Sequence, residues 1–197
     1  RSKRVHLDCL SLNSWSEAGS TMPDCKTARV VVLCEDLRHY HFVRGFLTAK
    51  GLSPHKITPR LAPPGTGSAE DYVRQNFPAE LQAHRSAHGN VILIVCIDQD
   101  KPGINRTQEL GEECANQQIP TPTTQDNLLI LVPNRNIETW LYLIQTNQSI
   151  DEKQNYKLRI KNPKPGKLGT KLATQCHQLN LPPSLQTAKN AWQTLCP

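Results

Sequence analysis

VILIVCIDQD, residues 91–100, is the stretch from which the fold can be read. Six of its first seven residues are aliphatic, the exception being Cys96, so neither face can be the wet side of an amphipathic strand. The pattern is that of a strand buried on both faces, as in parallel sheets. Asp98 and Asp100 follow where such a strand leaves the sheet, the edge at which open α/β sheets hold their ligands. Period-two alternation points both carboxylates the same way, and two like charges that close together are costly without a cation between them. The D-x-D therefore reads as half of a metal site.

On the N-terminal side, ARVVVLC (28–34) is a second apolar run and a second interior strand, ending at Glu35-Asp36. Leu37, Tyr40, Val43, Arg44 and Leu47 then recur at helical spacing, and Gly51 closes the helix. A short strand is expected over Leu52–Thr58, followed by a Pro/Gly-rich loop over 59–67. Ser68 and Asp71 form a capping box for a helix over 69–88, bent or interrupted at Pro78 and stopped by Gly89. PPGTGS (63–68) resembles a phosphate loop only superficially, because it lacks the Lys-Ser/Thr ending; it reads as a plain loop.

On the C-terminal side, a helix is expected over 106–118 and a strand over Leu128–Val132. NRNIETWLYLIQ (134–145) then reads as a helix capped by Asn136, with Ile137, Trp140, Leu141 and Ile144 as its buried stripe. Glu138 lies in its first turn. Beyond residue 147 the character changes: Lys153, Lys157, Arg159, Lys161, Lys164, Lys167 and Lys171 face only Asp151 and Glu152 within 151–171, and Pro163, Pro165 and Gly166 break any helix. Two short helices are expected over 167–179 and 184–195. Alternating strands and helices imply an α/β fold, a mostly parallel sheet with helices on both faces. The expected divisions are an N-terminal extension at 1–26, an α/β domain at 27–147 and a basic C-terminal helical extension at 148–197. Met22 is a candidate natural start.

At 197 residues, 37% hydrophobic and 5% aromatic, the chain has material for one domain with a core confined to a few dense runs. No run approaches bilayer length and no secretory leader pattern is visible, so the expected compartment is the cytoplasm, with no membrane partner. Seven cysteines show no C-x-x-C spacing and no zinc-module pairing, and read as reduced packing residues. A net charge of +6 and a pI near 9.0 suit a polyanionic partner.

Glu35, Asp98, Asp100 and Glu138 thus all fall at strand ends on one edge of the sheet. Hard oxygen donors of this kind suit Mg²⁺ or Mn²⁺. A Glu after the first core strand (VVVLCED, with Val30 before it) and D-x-D after a later one (IVCIDQD, 94–100) resemble the Toprim domain of topoisomerases, primases and overcoming-lysogenization-defect nucleases. VPNRNIETWL (132–141) is similar to a segment of stand-alone bacterial Toprim-like proteins, many linked to phage defence. The resemblance covers residues 28–147. It implies a Mg²⁺-dependent nuclease or nuclease subunit acting on DNA or RNA in an anti-phage system. Asp98 and Asp100 would be metal ligands, Glu35 a metal-associated or acid/base residue, and Glu138 a more variable third acid. Asp36 stands where the family commonly has a small residue. Nucleic acid and a separate ATPase subunit are the implied partners, with a homodimer left open.

Each residue also has a plainer reading. Glu138 fits a first-turn glutamate favoured by the helix dipole, and Trp140 fits a core residue. Lys161, Lys164 and Lys167 fit either a nucleic-acid track or a solvated face. His39 and His41, on the helix that begins near the site, fit either substrate contact or ordinary surface. A second class of function is a non-catalytic Toprim-like partner of an ATPase complex. A third, phosphotransfer to a small molecule, lacks its signature because Pro102 stands where Thr would be expected.

Overall fold

A computed structural model describes residues 23–65 and 67–197; Met22, most of the expected N-terminal extension and Thr66 of the Pro/Gly loop lie outside them. Arg29–Cys34 (β1), Ile57–Arg60 (β2), Val91–Cys96 (β3) and Leu128–Leu131 (β4) pair in parallel in the order β2-β1-β3-β4. Leu37–Ala49 (α1), Ala69–Ser86 (α2), Arg106–Asn116 (α3), Ile137–Thr146 (α4), Pro165–Gln175 (α5) and Pro183–Leu195 (α6) cover the sheet. The α/β class with an all-parallel sheet is as expected.

The two apolar faces of β1 and β3 part the helices into layers. Val30, Val32, Cys34, Ile92, Ile94 and Cys96 pack under α1, α4, α5 and α6. Leu33, Leu93, Val95 and Ile97 pack under α2 and α3 through Val73, Phe77, Leu81 and Leu110. Every residue of β3 is buried, which is why its sequence shows no alternation. The C-terminal helices are part of the first layer: Leu168, Leu172, Leu185 and Trp192 share a core with Phe42 and Trp140. Trp140 is a core residue whose indole N–H donates to Ser184 at 2.7 Å.

The helix after β1 lies on one face and the helix after β3 on the other. The carboxyl ends of these neighbouring strands therefore diverge, making the crevice where doubly wound sheets bind ligands.

Several local expectations are corrected. Pro54–Lys56 forms a single 3-10 turn, so the second strand starts only at Ile57; it is an edge strand and tolerates Pro59. α2 continues through Pro78, whose ring is buried. Leu37 is not part of the buried stripe of α1; it is 56% exposed, and His39, Phe42, Val43 and Leu47 are the buried residues. Asn136 sits at the N-cap of α4 without a side-chain cap bond, its amide donating to Asn155 at 3.2 Å instead. α5 begins at Pro165 and includes Gly166, two of the residues expected to break any helix, because a proline at the first helical position costs no hydrogen bond.

The cysteine reading is also corrected. Cys25 and Cys196 form a disulfide, with 5.8 Å between their Cα atoms. The loop before β1 and the end of α6 meet, a proximity that spacing along the chain does not reveal. Cys34, Cys96 and Cys114 are free and buried, as expected of packing residues. Among the described residues no helix is long and apolar enough to cross a membrane.

Candidate functional site

The site grows from the first turn of α1. Asp36 adopts extended backbone at the N-cap, and its Oδ1 accepts from the N–H groups of Arg38 at 2.8 Å and His39 at 3.0 Å. Three residues on, the His39 ring stacks above it and its Nδ1 meets the same oxygen at 2.7 Å. The other ring nitrogen, Nε2, lies 2.9 Å from Oδ1 of Asp98. His39 is 2% exposed and Asp98 3%. Glu35 closes the group by accepting the backbone N–H of Asp98 at 2.6 Å. Donor atoms of Glu35, His39 and Asp98 lie within 4.8 Å of one another and could hold a metal ion.

Charges here are set by burial and by each other. Burial, reinforced by the charge of Asp98 and more weakly of Asp100, raises the Glu35 carboxyl to about 7, against the opposing pull of His39. Burial works to lower the His39 pKa, but its hydrogen bonds to Asp36 and Asp98 and their charges outweigh it and hold the imidazole up to about 10. Burial likewise works against ionisation of Asp36, and the hydrogen bonds from His39 and the helix N–H groups overcome it, leaving the carboxyl far below its usual range.

The four acids read from the sequence do not all converge. The Asp98 and Asp100 carboxylates take different partners, His39 for Asp98 and Arg106 for Asp100, and Asp100 has left-handed backbone (φ 59°) in place of the extended backbone that alternation requires. Its N–H donates to the carbonyl of Arg135 at 2.9 Å and its own carbonyl accepts from the Arg135 side chain at 2.8 Å, locking the two loops together. The Asp100 carboxylate meets Arg106 at 3.2 Å. Arg106 is 5% exposed and also binds the carbonyl of Asp98 at 2.9 Å, Glu109 at 2.7 Å and Glu70. Glu138 is 2% exposed and pairs with Arg38 through Oε1, while its Oε2 has no hydrogen-bond partner among the described residues. Neither Asp100 nor Glu138 belongs to the close group.

Lys164 and Lys167 line a cleft beside α1, whereas Lys161 stands outside it, with its carbonyl accepting from Gln145 at 3.1 Å. His41 is exposed on the cleft side of α1. Sequence reasoning left Asp36 without a role and His39 undecided. An Asp just before a helical pattern is a recognisable N-cap, and residues 36 and 39 are three apart, so the signal was present. Arg38 and Arg106, which neutralise the outlying acids, had no comparable signal.

Comparison with family models, with curated proteins and with solved structures gives no match to this chain.

Proposed function

We propose that this chain is a Toprim-like, divalent-cation-dependent phosphodiester hydrolase acting on DNA or RNA. The observation that carries the reading is the joining of Glu35, His39 and Asp98 at the point where β1 and β3 diverge, beside an open cleft of about 980 Å³.

The donor set fits a divalent ion: two carboxylates and an imidazole whose second nitrogen is oriented by Asp36, the carboxylate–histidine pairing typical of metal centres. His39 could act as a donor only after losing the proton it holds between Asp36 and Asp98, so metal binding would release a proton and strengthen as pH rises. The deprotonated ring would suit Mn²⁺ better than Mg²⁺, which prefers oxygen. A bound ion would supply Lewis-acid stabilisation of a phosphoryl oxygen and a more acidic water. Glu35 would either lose its proton and join the ligands or stay off the ion and take the proton of the attacking water, a role that a carboxyl raised to about 7 by burial suits. Asp36 fixes the ring of His39, and Arg106 fixes the backbone that carries Asp98. Arg38, its side chain 43% exposed, stands at the cleft wall as a cation for phosphate.

The test is incubation with plasmid, single-stranded DNA and tRNA in Mg²⁺, Mn²⁺ or EDTA. Cleavage is expected only with metal, Mn²⁺ ahead of Mg²⁺, and is expected to vanish in Asp98→Asn and Glu35→Gln. Cleavage that survives both substitutions would remove these residues from the mechanism.

One observation favours a second reading. His39 already sits between two carboxylates, and Asp100 and Glu138 already have arginine partners. A site whose charges are internally balanced also suits a non-catalytic binding or regulatory subunit. Absence of cleavage together with absence of any Mn²⁺-induced shift in melting temperature selects it.

A further inference from the structure

Two open clefts meet along one face of α1. The larger, beside the acidic group, runs between Leu37 and Arg38 on one side and Pro63, Pro64 and Pro163 on the other. A second, of about 450 Å³, continues between α1 and the start of α5, where Arg44, Lys164 and Lys167 line it. His41 and Pro165 belong to both, so the two form one path. The α1 residues along it, Leu37, His41, Arg44 and Thr48, recur at the spacing of a single helical face.

Charge along the path is polarised. Among the described residues no Asp or Glu lines the second cleft, and in the first only Glu35 and Asp36 do. The cations are held by a rigid mount, because α5 docks on α1 backbone to backbone. A methyl on Gly45 would overlap the carbonyl of Gly166, and one on Gly169 would overlap the carbonyl of Phe42. Near the acidic end the path turns apolar, with Leu37 56% exposed opposite Pro63 and Pro64. Cations in a row followed by an apolar shelf match a chain that carries both phosphates and flat apolar faces.

We propose that this path seats a single-stranded polynucleotide, its phosphates on Arg44, Lys164 and Lys167 and a base laid over Leu37 against Pro63-Pro64. The proposal rests on the hydrolase reading only for the end at which the strand meets Glu35. A paired strand keeps its bases stacked inside the duplex and has none to offer the apolar shelf, and inorganic polyphosphate has no base at all.

The test is fluorescence anisotropy in EDTA, where no hydrolysis occurs, with a labelled single-stranded oligonucleotide, the same sequence as a duplex, and polyphosphate. Single-strand binding is expected to be the tightest. The Arg44→Gln, Lys164→Gln, Lys167→Gln triple variant, all exposed or half-buried side chains, is expected to bind roughly tenfold or more weakly, with the slope of log Kd on log salt reduced by about 2, some 0.7 for each phosphate that is no longer neutralised. Leu37→Ala is expected to weaken binding and leave that slope unchanged, since it removes a stacking surface and no charge. Lys153→Gln with Lys157→Gln, off the path, is the control for charge in general. Equal binding of the duplex or of polyphosphate, or unchanged binding by the triple variant, overturns the proposal. Failure here and failure of the hydrolase are separable: tight single-strand binding without cleavage keeps the path and removes the hydrolase. Metal-dependent cleavage with the triple variant binding as wild type does the reverse.

Discussion

The carboxylate of Glu35 accepts the backbone N–H of Asp98 at 2.6 Å, across the boundary between the first and third strands. This bond holds Glu35 where burial and the Asp98 charge raise its pKa from 4.5 to about 7. The native carboxyl thus keeps its proton up to about pH 7 while the unfolded chain releases it near 4.5. Between those values stability falls as pH rises, because the folded state binds more protons. The span corresponds to about 3 kcal/mol at most, at 1.36 kcal/mol per unit. Glu35→Gln is expected to melt close to wild type at pH 4.5 and above it at pH 8. Thermal denaturation across that range checks the prediction, and a wild type that gains stability towards pH 8 relative to the variant contradicts it.

His39 acts in the same pH direction by the opposite charge. Its imidazolium, held up to about 10 between Asp36 and Asp98, contributes stability that is complete below 6.5 and is lost as pH rises through about 10. His39→Gln leaves Asp98 buried beside Glu35 with no counter-charge, a loss on the order of 3 kcal/mol. The deficit against wild type is expected to be largest near pH 6 and to shrink towards pH 10. NMR of the ring protons provides the direct check: no titration of His39 between pH 6 and 8.

The strand pattern carried most of the architecture. VILIVC and VVVLC lack alternation because both faces are covered, and that alone calls for a parallel sheet with helices on either side. Glu35 and Asp98 were legible for the same reason, since strand ends in such sheets share an edge. The fate of Asp100 is not legible, because no glycine marks its left-handed backbone and its partner Arg106 belongs to the next helix. Glu138 follows its strand as expected, but Arg38, distant in sequence, claims it. The contact of His39 with Asp36 is legible from the N-cap position and the three-residue spacing, but its contact with Asp98, 59 residues away, leaves no sign in the local sequence. The disulfide depends on the last helix returning to the first loop, a tertiary fact with no local trace.

That disulfide closes a separation of 171 residues. Chain-entropy reasoning puts the stabilisation from tying so long a loop at up to about 5 kcal/mol. Reductant is therefore expected to lower the urea midpoint of the wild type, and Cys25→Ser with Cys196→Ser to match the reduced wild type and show no further response. Chemical denaturation with and without dithiothreitol measures it. Identical midpoints for the oxidised and reduced wild type would mean the link adds nothing.

The last prediction concerns how α5 is mounted. Gly169 is buried and faces the backbone of Phe42 so closely that a Cβ would collide with its carbonyl oxygen and crowd the N–H of Phe46. Neither is the end of a flexible side chain, so Gly169→Ala can be accommodated only by moving the helices apart. Overpacking of this kind costs about 1–3 kcal/mol, against less than about 1 kcal/mol gained from the better helix propensity of alanine. The net effect is a loss of stability. Gly166→Ala, in the same helix, meets only the carbonyl of His41 at 3.5 Å, an ordinary contact, and is expected to be tolerated. The distinction isolates packing from propensity, since both substitutions replace a helical glycine. Urea unfolding of the two variants reads it out: a clear drop in midpoint for Gly169→Ala and little change for Gly166→Ala. Equal midpoints would mean the two helices are not in backbone contact, and Lys164 and Lys167 would lose the rigid mount that sets them beside Arg44.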